Sequence, residues 1–403
     1  MEKELIDSLW EKYKEKIVEL RRRLHRYPER AFQEERTAAA VEEVLKACQP
    51  IEIKRVAGTG VTALLNGGAQ GSGRTLALRA DMDALPLSEK TGLPYASERP
   101  GLMHACGHDA HVAMLAGAAL ILADMRESWS GRVRLIFQPA EEEIGGAQPM
   151  IEAGILNSPP VEAIMALHLW PDLPLGQVGL RDGALMASND RFRIWVQGQA
   201  THGATPEKGV DALLVGAQIA ISLQHLISRE TPALDTAVIS LGVFRAGTTY
   251  NIVSGEAELE GSLRTLDPTL RAKLKKRIKE MVEGIAGAYG ARAEVDYLSG
   301  FPVTVNAPDF NRVVARAAAQ ILGPESIVWL ENAAMVSEDF SHFLERVPGA
   351  MVFLGCGNLV GKTYPLHHEC FQFNEEVLEY GTKLLVATVG EYLPAASSHK
   401  VFL

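Results

Sequence analysis

The sequence predicts an α/β protein: a mixed, mostly parallel sheet sandwiched by helices, with a smaller ferredoxin-like α+β domain inserted into it. Three observations carry that expectation. Short apolar runs alternate with segments of helical periodicity, the pattern of a sheet covered on both faces. Near residue 187 the pattern changes to half-exposed strands and a Lys-rich helix, and it reverts after Phe301-Pro302. At 403 residues the chain is also too long for one ordinary core, so two domains are expected. The expected division is 1–186 and 299–403 for the larger domain and 187–298 for the insertion.

Residues 3–26 and 34–47 carry apolar side chains at helical spacing, with Pro28 between them. Strands are expected at 60–65, 76–79, 132–137 and 163–167, and a helix at 111–125. In the insertion, Arg191-Phe192-Arg193-Ile194-Trp195-Val196-Gln197 alternates as a half-exposed strand. A helix at 211–228, strands at 236–244 and 257–264, a helix at 270–289 and a strand at 292–297 follow. That order, β-α-β-β-α-β, is the split unit of ferredoxin-like domains. A helix at 310–322 and a buried strand at 350–354 return the chain to the larger sheet.

Composition excludes several classes of function. Apolar residues make up 47% and charged residues 22%, ordinary for a soluble globular protein. The net charge of −10, with no basic block, disfavours nucleic acid and anionic membrane as partners. The longest apolar stretch, 112–125, is about 14 residues, short of the roughly 20 that a membrane span needs. The start, Met1-Glu2-Lys3-Glu4-Leu5, is charged and unlike a signal peptide. Four cysteines (Cys48, Cys106, Cys356, Cys370) show no framework spacing, so reduced thiols in the cytoplasm are expected.

The chemistry gathers after the strands. His104-Ala105-Cys106-Gly107-His108-Asp109 precedes the helix at 111–125. A Cys and a His two apart are more often a buried thiol and a hydrogen-bonded imidazole. Here His104, Asp109 and His111 crowd the same turn, more costly polar groups than packing explains. Cys, His and carboxylate are the side chains that a divalent ion such as zinc takes. Gln138-Pro139-Ala140-Glu141-Glu142-Glu143 follows the strand at 132–137. A Glu run is usually a solvated face, but after a buried strand it fits one metal ligand and one proton carrier better. Asp83, in Arg79-Ala80-Asp81-Met82-Asp83-Ala84-Leu85-Pro86, is expected to accept a hydrogen bond from a ligating imidazole. His168 is expected at the end of the strand at 163–167. His367 and His368 are adjacent, and spacing does not choose between them.

These motifs, with Thr201-His202-Gly203, Tyr250-Asn251-Ile252, Gly261 to Thr265, Ser337 to Phe340 and Leu366-His367, resemble the aminoacylase/carboxypeptidase G superfamily of two-metal amidohydrolases. The resemblance runs from about Arg21 to Leu385. It is greatest to the branch of hippurate hydrolases, N-acetyl-diaminopimelate deacetylases and plant auxin-conjugate hydrolases. It implies a di-zinc exopeptidase-like catalytic domain and an inserted lid domain that also dimerises. It implies Cys106, His108, Glu142, His168 and His367 as ligands of two divalent ions (zinc, manganese, cobalt or nickel), with Cys106 bridging. Glu141 is then the general base and acid, His202 and Asn251 polarise the scissile carbonyl, and Arg264 binds the substrate carboxylate. The chain departs from the family pattern at Glu143-Ile144, at Gly198-Gln199-Ala200-Thr201 and at His368-Glu369-Cys370. The expected activity is hydrolysis of N-acyl amino acids in a homodimer. A dipeptidase or metallocarboxypeptidase shares every catalytic part, and a metal-binding scaffold without turnover is the remaining alternative.

Overall fold

Helix α1 (Lys3–Arg26) places Ile6, Trp10, Ile17, Leu20 and Leu24 on one buried face. Each such side chain contributes roughly 1.5–3 kcal/mol relative to leaving it exposed. Arg23, His25 and Arg26 complement the negative end of the helix, and Pro28 follows its last turn. Helix α2 (Glu35–Leu45) begins where the Glu29 carboxylate accepts the Arg36 and Thr37 N–H groups. The computed structural model describes residues 2–49, 51–71, 73–143, 145–357 and 363–396.

The chain forms two compact units. The first comprises 1–183, 305–331 and 342–403, and the second 184–304 and 332–341. The second thus includes a short segment outside the range 187–298. The reason is backbone pairing: Ala187 N–H donates to the carbonyls of Ala334 and Val336.

The first unit is built on an eight-stranded sheet. Five of its strands are β1 (Glu52–Val56), β2 (Gly60–Asn66), β3 (Thr75–Asp81), β4 (Arg132–Gln138) and β5 (Ala163–Pro174). The spatial order is β1-β2-β4-β3-β5, then Gly349–Gly357, Val178–Leu180 and Ile327–Trp329. The β3–β4, β3–β5 and β5–Gly349–Gly357 pairs are parallel, while β1–β2 and β2–β4 are antiparallel. Every residue of β3 is buried, which explains its apolar stretch Leu76-Ala77-Leu78, and Arg79 and Asp81 break the pattern only toward its end. β5 is longer than the 163–167 expected, because its pairing with Gly349–Gly357 continues past Trp170. His168 therefore lies inside a strand rather than at its end.

Helix α3 (His108–Asp124) is buried from His108 to Leu122 on all sides. A helix that is apolar all round can only be a central one, and α3 lies against α1, Val377–Tyr392 and the sheet. Its first residue, His108, is where polar chemistry begins.

The second unit runs strand Asn189–Gln197, helix Ala212–His225, strands Ala237–Ala246 and Glu256–Thr265, helix Pro268–Ala288 and strand Arg292–Phe301. The four strands form an antiparallel sheet in the order Ala237–Ala246, Glu256–Thr265, Asn189–Gln197, Arg292–Phe301. Asp267 caps the second helix at Leu270 N, and Leu270, Leu274, Ile278, Val282 and Ala286 recur every fourth residue on its buried face. The first helix buries Val215, Ile219 and Leu223 but leaves Leu214 62% and Ile221 70% exposed. The stretch Ala212–Glu230 is long and apolar enough by composition alone to cross a membrane. Its double-sided apolar character accounts for that: one face packs in the unit, the other is open.

Candidate active site

The carboxyl ends of β3 and β4 lie level, with Asp81 opposite Gln138, and the polar residues follow directly. Gly107 (φ 86°) bends the chain into α3, and a side chain there would meet Leu169 Cδ1 at 2.8 Å. This turn sets Cys106 and His108 side by side, both buried. Cys106 Sγ lies 3.4 Å from His168 Nε2. His108 Nε2 lies 3.8 Å from Glu142 Oε1, and His367 Nε2 lies 3.3 Å from that same oxygen. The donor atoms fall into overlapping groups (Cys106, His108 and His168; Cys106, Glu142 and His367; His108, Glu141 and Glu142), each within 4.8 Å.

Three features fit this set to metal ions. His108 Nε2 and Glu142 Oε1 are buried and have no hydrogen-bond partner among the described residues, a costly state that a cation relieves. The other ring nitrogens are already fixed. His108 Nδ1 donates to the Asp83 carbonyl at 2.9 Å and His168 Nδ1 to the Leu169 carbonyl at 2.8 Å. Outer hydrogen bonds of this kind orient ligating imidazoles. Finally, although burial disfavours a charged imidazole, the Asp81, Asp83 and Glu142 carboxylates push His108 up to about 10. His168 goes the other way, pushed down to about 3 by burial with His111 and His108 adding to it. Negative charge is concentrated where a cation would sit.

His111 is placed next to these residues but is not available to a metal. Its Nδ1 donates to Asp81 Oδ1 at 2.6 Å, and its Nε2 accepts the Leu169 N–H at 3.0 Å. It fixes β5 beside His168. Asp81, which also accepts from Arg79 Nη1 at 2.6 Å, anchors it. Sequence reasoning gave Asp81 no role; the available signal was an Arg and an Asp two apart at the end of a strand otherwise apolar.

Asp83 accepts a hydrogen bond from the His108 imidazole, as expected, and does more besides. Its carbonyl, not its carboxylate, takes the His108 imidazole, and its carboxylate lies 3.4 Å from that nitrogen. The two carboxylate oxygens also accept the Glu141 and Glu142 N–H groups, both at 3.0 Å. The backbone amides won because a loop leaving a strand end has N–H groups without ladder partners. The preceding residue, Ala140, is buried and left-handed at φ 56°. That conformation costs a non-glycine residue about 1–3 kcal/mol. Ile144, part of the departure from the family pattern, lies outside the described residues.

Of the two adjacent histidines, His367 is the one that reaches Glu142. Its backbone is left-handed (φ 63°) and its N–H donates to the Ala105 carbonyl, tying it to the Cys106 turn. His368 stacks on Tyr364 and accepts the Cys370 N–H at Nδ1.

The other expected residues lie in the second unit. Thr201–His202 pairs with Ile252–Val253, and Gly203 N–H donates to the Asn251 carbonyl, so one ribbon brings His202 and Asn251 together. Both are exposed. His202 Nδ1 accepts the Ala204 N–H, leaving Nε2 outward. Arg264 is half-buried, donates to the Met335 carbonyl and has no carboxylate partner among the described residues. Burial pulls its guanidinium below the ordinary value.

Known proteins share this arrangement of chain. The sequence pattern of peptidase family M20/M25/M40 matches residues 77–391. Thermostable carboxypeptidase 1 of Saccharolobus solfataricus is 39% identical over 91% of this chain and 92% of its own. The N-acyl-L-amino acid amidohydrolase of Geobacillus stearothermophilus is 42% identical over 76% of this chain and 82% of its own. The crystal structure of the Bacillus subtilis YXEP protein, described as a dinuclear metal binding peptidase from M20 family, matches with a TM-score of 0.83 at 36% identity. That match covers 95% of this chain and 99% of the other. With the family pattern spanning most of its length, the chain belongs to peptidase family M20/M25/M40.

Proposed function

We propose that the protein is a two-metal amidohydrolase that cleaves N-acyl amino acids to a carboxylic acid and a free amino acid. The observation that carries this reading is the pair of buried atoms His108 Nε2 and Glu142 Oε1, without a hydrogen bond among the described residues, beside the thiol and imidazoles of Cys106, His168 and His367. Cys106, His108, Glu142, His168 and His367 would hold two divalent ions, zinc, manganese, cobalt or nickel. When bound, such ions act as Lewis acids and lower the pKa of water toward about 7.

Glu141 takes the proton from the attacking water and returns it to the leaving amine. Its backbone N–H is held by the Asp83 carboxylate, which supports a fixed starting point for the proton carrier. His202 and Asn251, held together on one exposed ribbon, donate to the developing oxyanion. Arg264, without a carboxylate partner among the described residues, pairs with the carboxylate of the substrate. The same parts suit a carboxypeptidase, and the carboxypeptidase name of the Saccharolobus relative keeps that reading as the second one.

We also propose a cytoplasmic homodimer in which the partner's His202 completes each site. The open apolar face of Ala212–His225, with Ile221 70% exposed, and the unpaired outer edge of Ala237–Ala246 support an interface in the second unit. Four free thiols suit a reducing compartment. The deciding experiment is a turnover screen of metal-stripped protein reloaded with each ion, on acetyl-, benzoyl- and aminoacyl-amino acids. Cleavage confined to the aminoacyl substrates would move the assignment to a peptidase, and no turnover with any ion would leave a scaffold.

A further inference from the structure

The glutamate pair is held from two sides, and one of them belongs to no expected site residue. Glu34 is fully buried immediately before α2. A carboxylate there ordinarily caps the helix. This one makes no cap bond, because Glu29 already receives the Arg36 and Thr37 N–H groups. Glu34 Oε1 instead accepts the Ala140 N–H at 2.9 Å, and its other oxygen accepts the Thr59 hydroxyl. With Asp83, three successive N–H groups, those of Ala140, Glu141 and Glu142, each end on a buried carboxylate oxygen. Burial pushes the Glu34 carboxyl up, while the Thr59 and Ala140 bonds oppose that rise. Packing alone would be better served by an apolar residue of the same size.

The residue it grips is the strained one. Ala140 is left-handed at φ 56°, and the loop closes behind it through the Gly145 N–H on the Ala140 carbonyl. At Gly146 a side chain would meet the Pro139 oxygen at 1.8 Å, so the close return of the loop onto Pro139 needs a glycine there. Released from Glu34, Ala140 has an ordinary backbone conformation to fall back to, and that rotation turns the peptide leading into Glu141.

We infer that Glu34 is a positioning residue for the reaction: by holding Ala140 left-handed it sets the direction of the Glu141 carboxylate. This rests on Glu141 being the proton carrier proposed above. It predicts that the hydrogen-bond acceptor at position 34 matters, and its volume does not.

The test compares Glu34→Met, which keeps the volume without the acceptor, with Glu34→Gln, which keeps an acceptor for the Ala140 N–H. Both are made in the full chain loaded with metal. Glu34→Met is expected to lower kcat on the order of 30- to 100-fold with KM nearly unchanged, since small misplacements of reacting groups have effects of that size. Glu34→Gln should stay within about fivefold of wild type, because the neutral acceptor still takes the bond. In a Glu141→Gln background Glu34→Met should change the residual turnover by less than about twofold, as residues acting through one group are not additive. Amide hydrogen exchange over 138–143 should rise in Glu34→Met and not in Glu34→Gln. Equal losses in the two variants, a full multiplicative loss on top of Glu141→Gln, or unchanged exchange would each overturn the inference. If Glu34→Met does not fold, Thr59→Val replaces it, with an expected kcat loss of about three- to tenfold; an unchanged kcat there overturns it. Wild-type turnover in Glu141→Gln alone is a separate result: it removes the proton-carrier assignment, while the exchange measurement still reports whether Glu34 holds the loop.

Discussion

The two regions that carry candidate chemistry are built on opposite terms. In the first unit Cys106, His108, Glu141 and His168 are buried, and one nitrogen of each of His108, His111 and His168 and both Asp83 oxygens are tied to backbone. In the second unit His202 and Asn251 are exposed on a two-stranded ribbon, and Arg264 is half-buried with a single carbonyl partner. The first arrangement is rigid before anything binds. The second gains its purpose only from what approaches it. The difference teaches where a substitution should act: in the first unit on metal or proton transfer, in the second on recognition, with the fold left alone.

The largest effect should sharpen that contrast within the first unit itself. Glu141→Gln is expected to lose on the order of 10²–10⁴-fold in turnover while keeping its metal, because an amide cannot accept the proton from water. Glu142→Gln should instead lose metal by elemental analysis, and the reverse pattern would swap the two roles. His202→Ala comes next, with kcat lower by on the order of 10²–10³-fold, the usual loss for one oxyanion donor. Metal content and Tm should not move, since the side chain is exposed; a drop in either would break the contrast. Mixing Glu141→Gln with His202→Ala protein under subunit exchange should restore a fraction of wild-type activity, and its absence would confine His202 to its own chain. For Cys106→Ala, metal retention should weaken by at least about tenfold, as it does even for outer-shell changes, and chelator should abolish wild-type turnover. Full activity there removes the thiolate from the ligand set. The smallest effect is on specificity. Arg264→Ala should cost about tenfold more on N-acyl amino acids than on the matching amides, the scale of one charge-assisted hydrogen bond. Equal losses would make Arg264 a structural residue.

What could be read from the sequence was what lies close together along it. The Cys106-Gly107-His108 turn, the glutamates after β4 and the all-apolar α3 announce themselves because neighbours in the chain share the site. The large, mostly parallel sheet followed from apolar runs such as β3, buried at every position. The choice of His367 over His368 was not legible from spacing, since it depends on a left-handed backbone and on a hydrogen bond to Ala105 far upstream. Asp83 was read with the correct partner, the His108 imidazole, but its hold on the Glu141 and Glu142 amides was not legible, because it depends on loop direction. Glu34 gave no signal at all: the amide it receives is 106 positions away. His111, which crowds the same turn, is not a ligand, since both of its nitrogens are spent on Asp81 and Leu169.

The sheet order also sets a timetable. β5 pairs on one side with β3, made earlier, and on the other with Gly349–Gly357, which follows the entire 184–304 segment. On the ribosome the chain emerges amino end first, at about 5–20 residues per second. For that interval the strand bearing His168 presents an unpaired apolar edge, the kind that attracts other chains and holding chaperones. His367 emerges later still, so the proposed metal-binding set is incomplete until well after His168 has been made. Chains arrested before residue 349 are therefore expected to aggregate, or to stay bound to a chaperone, more than chains arrested after 370, and equal recovery of soluble protein from both would refute that order of events.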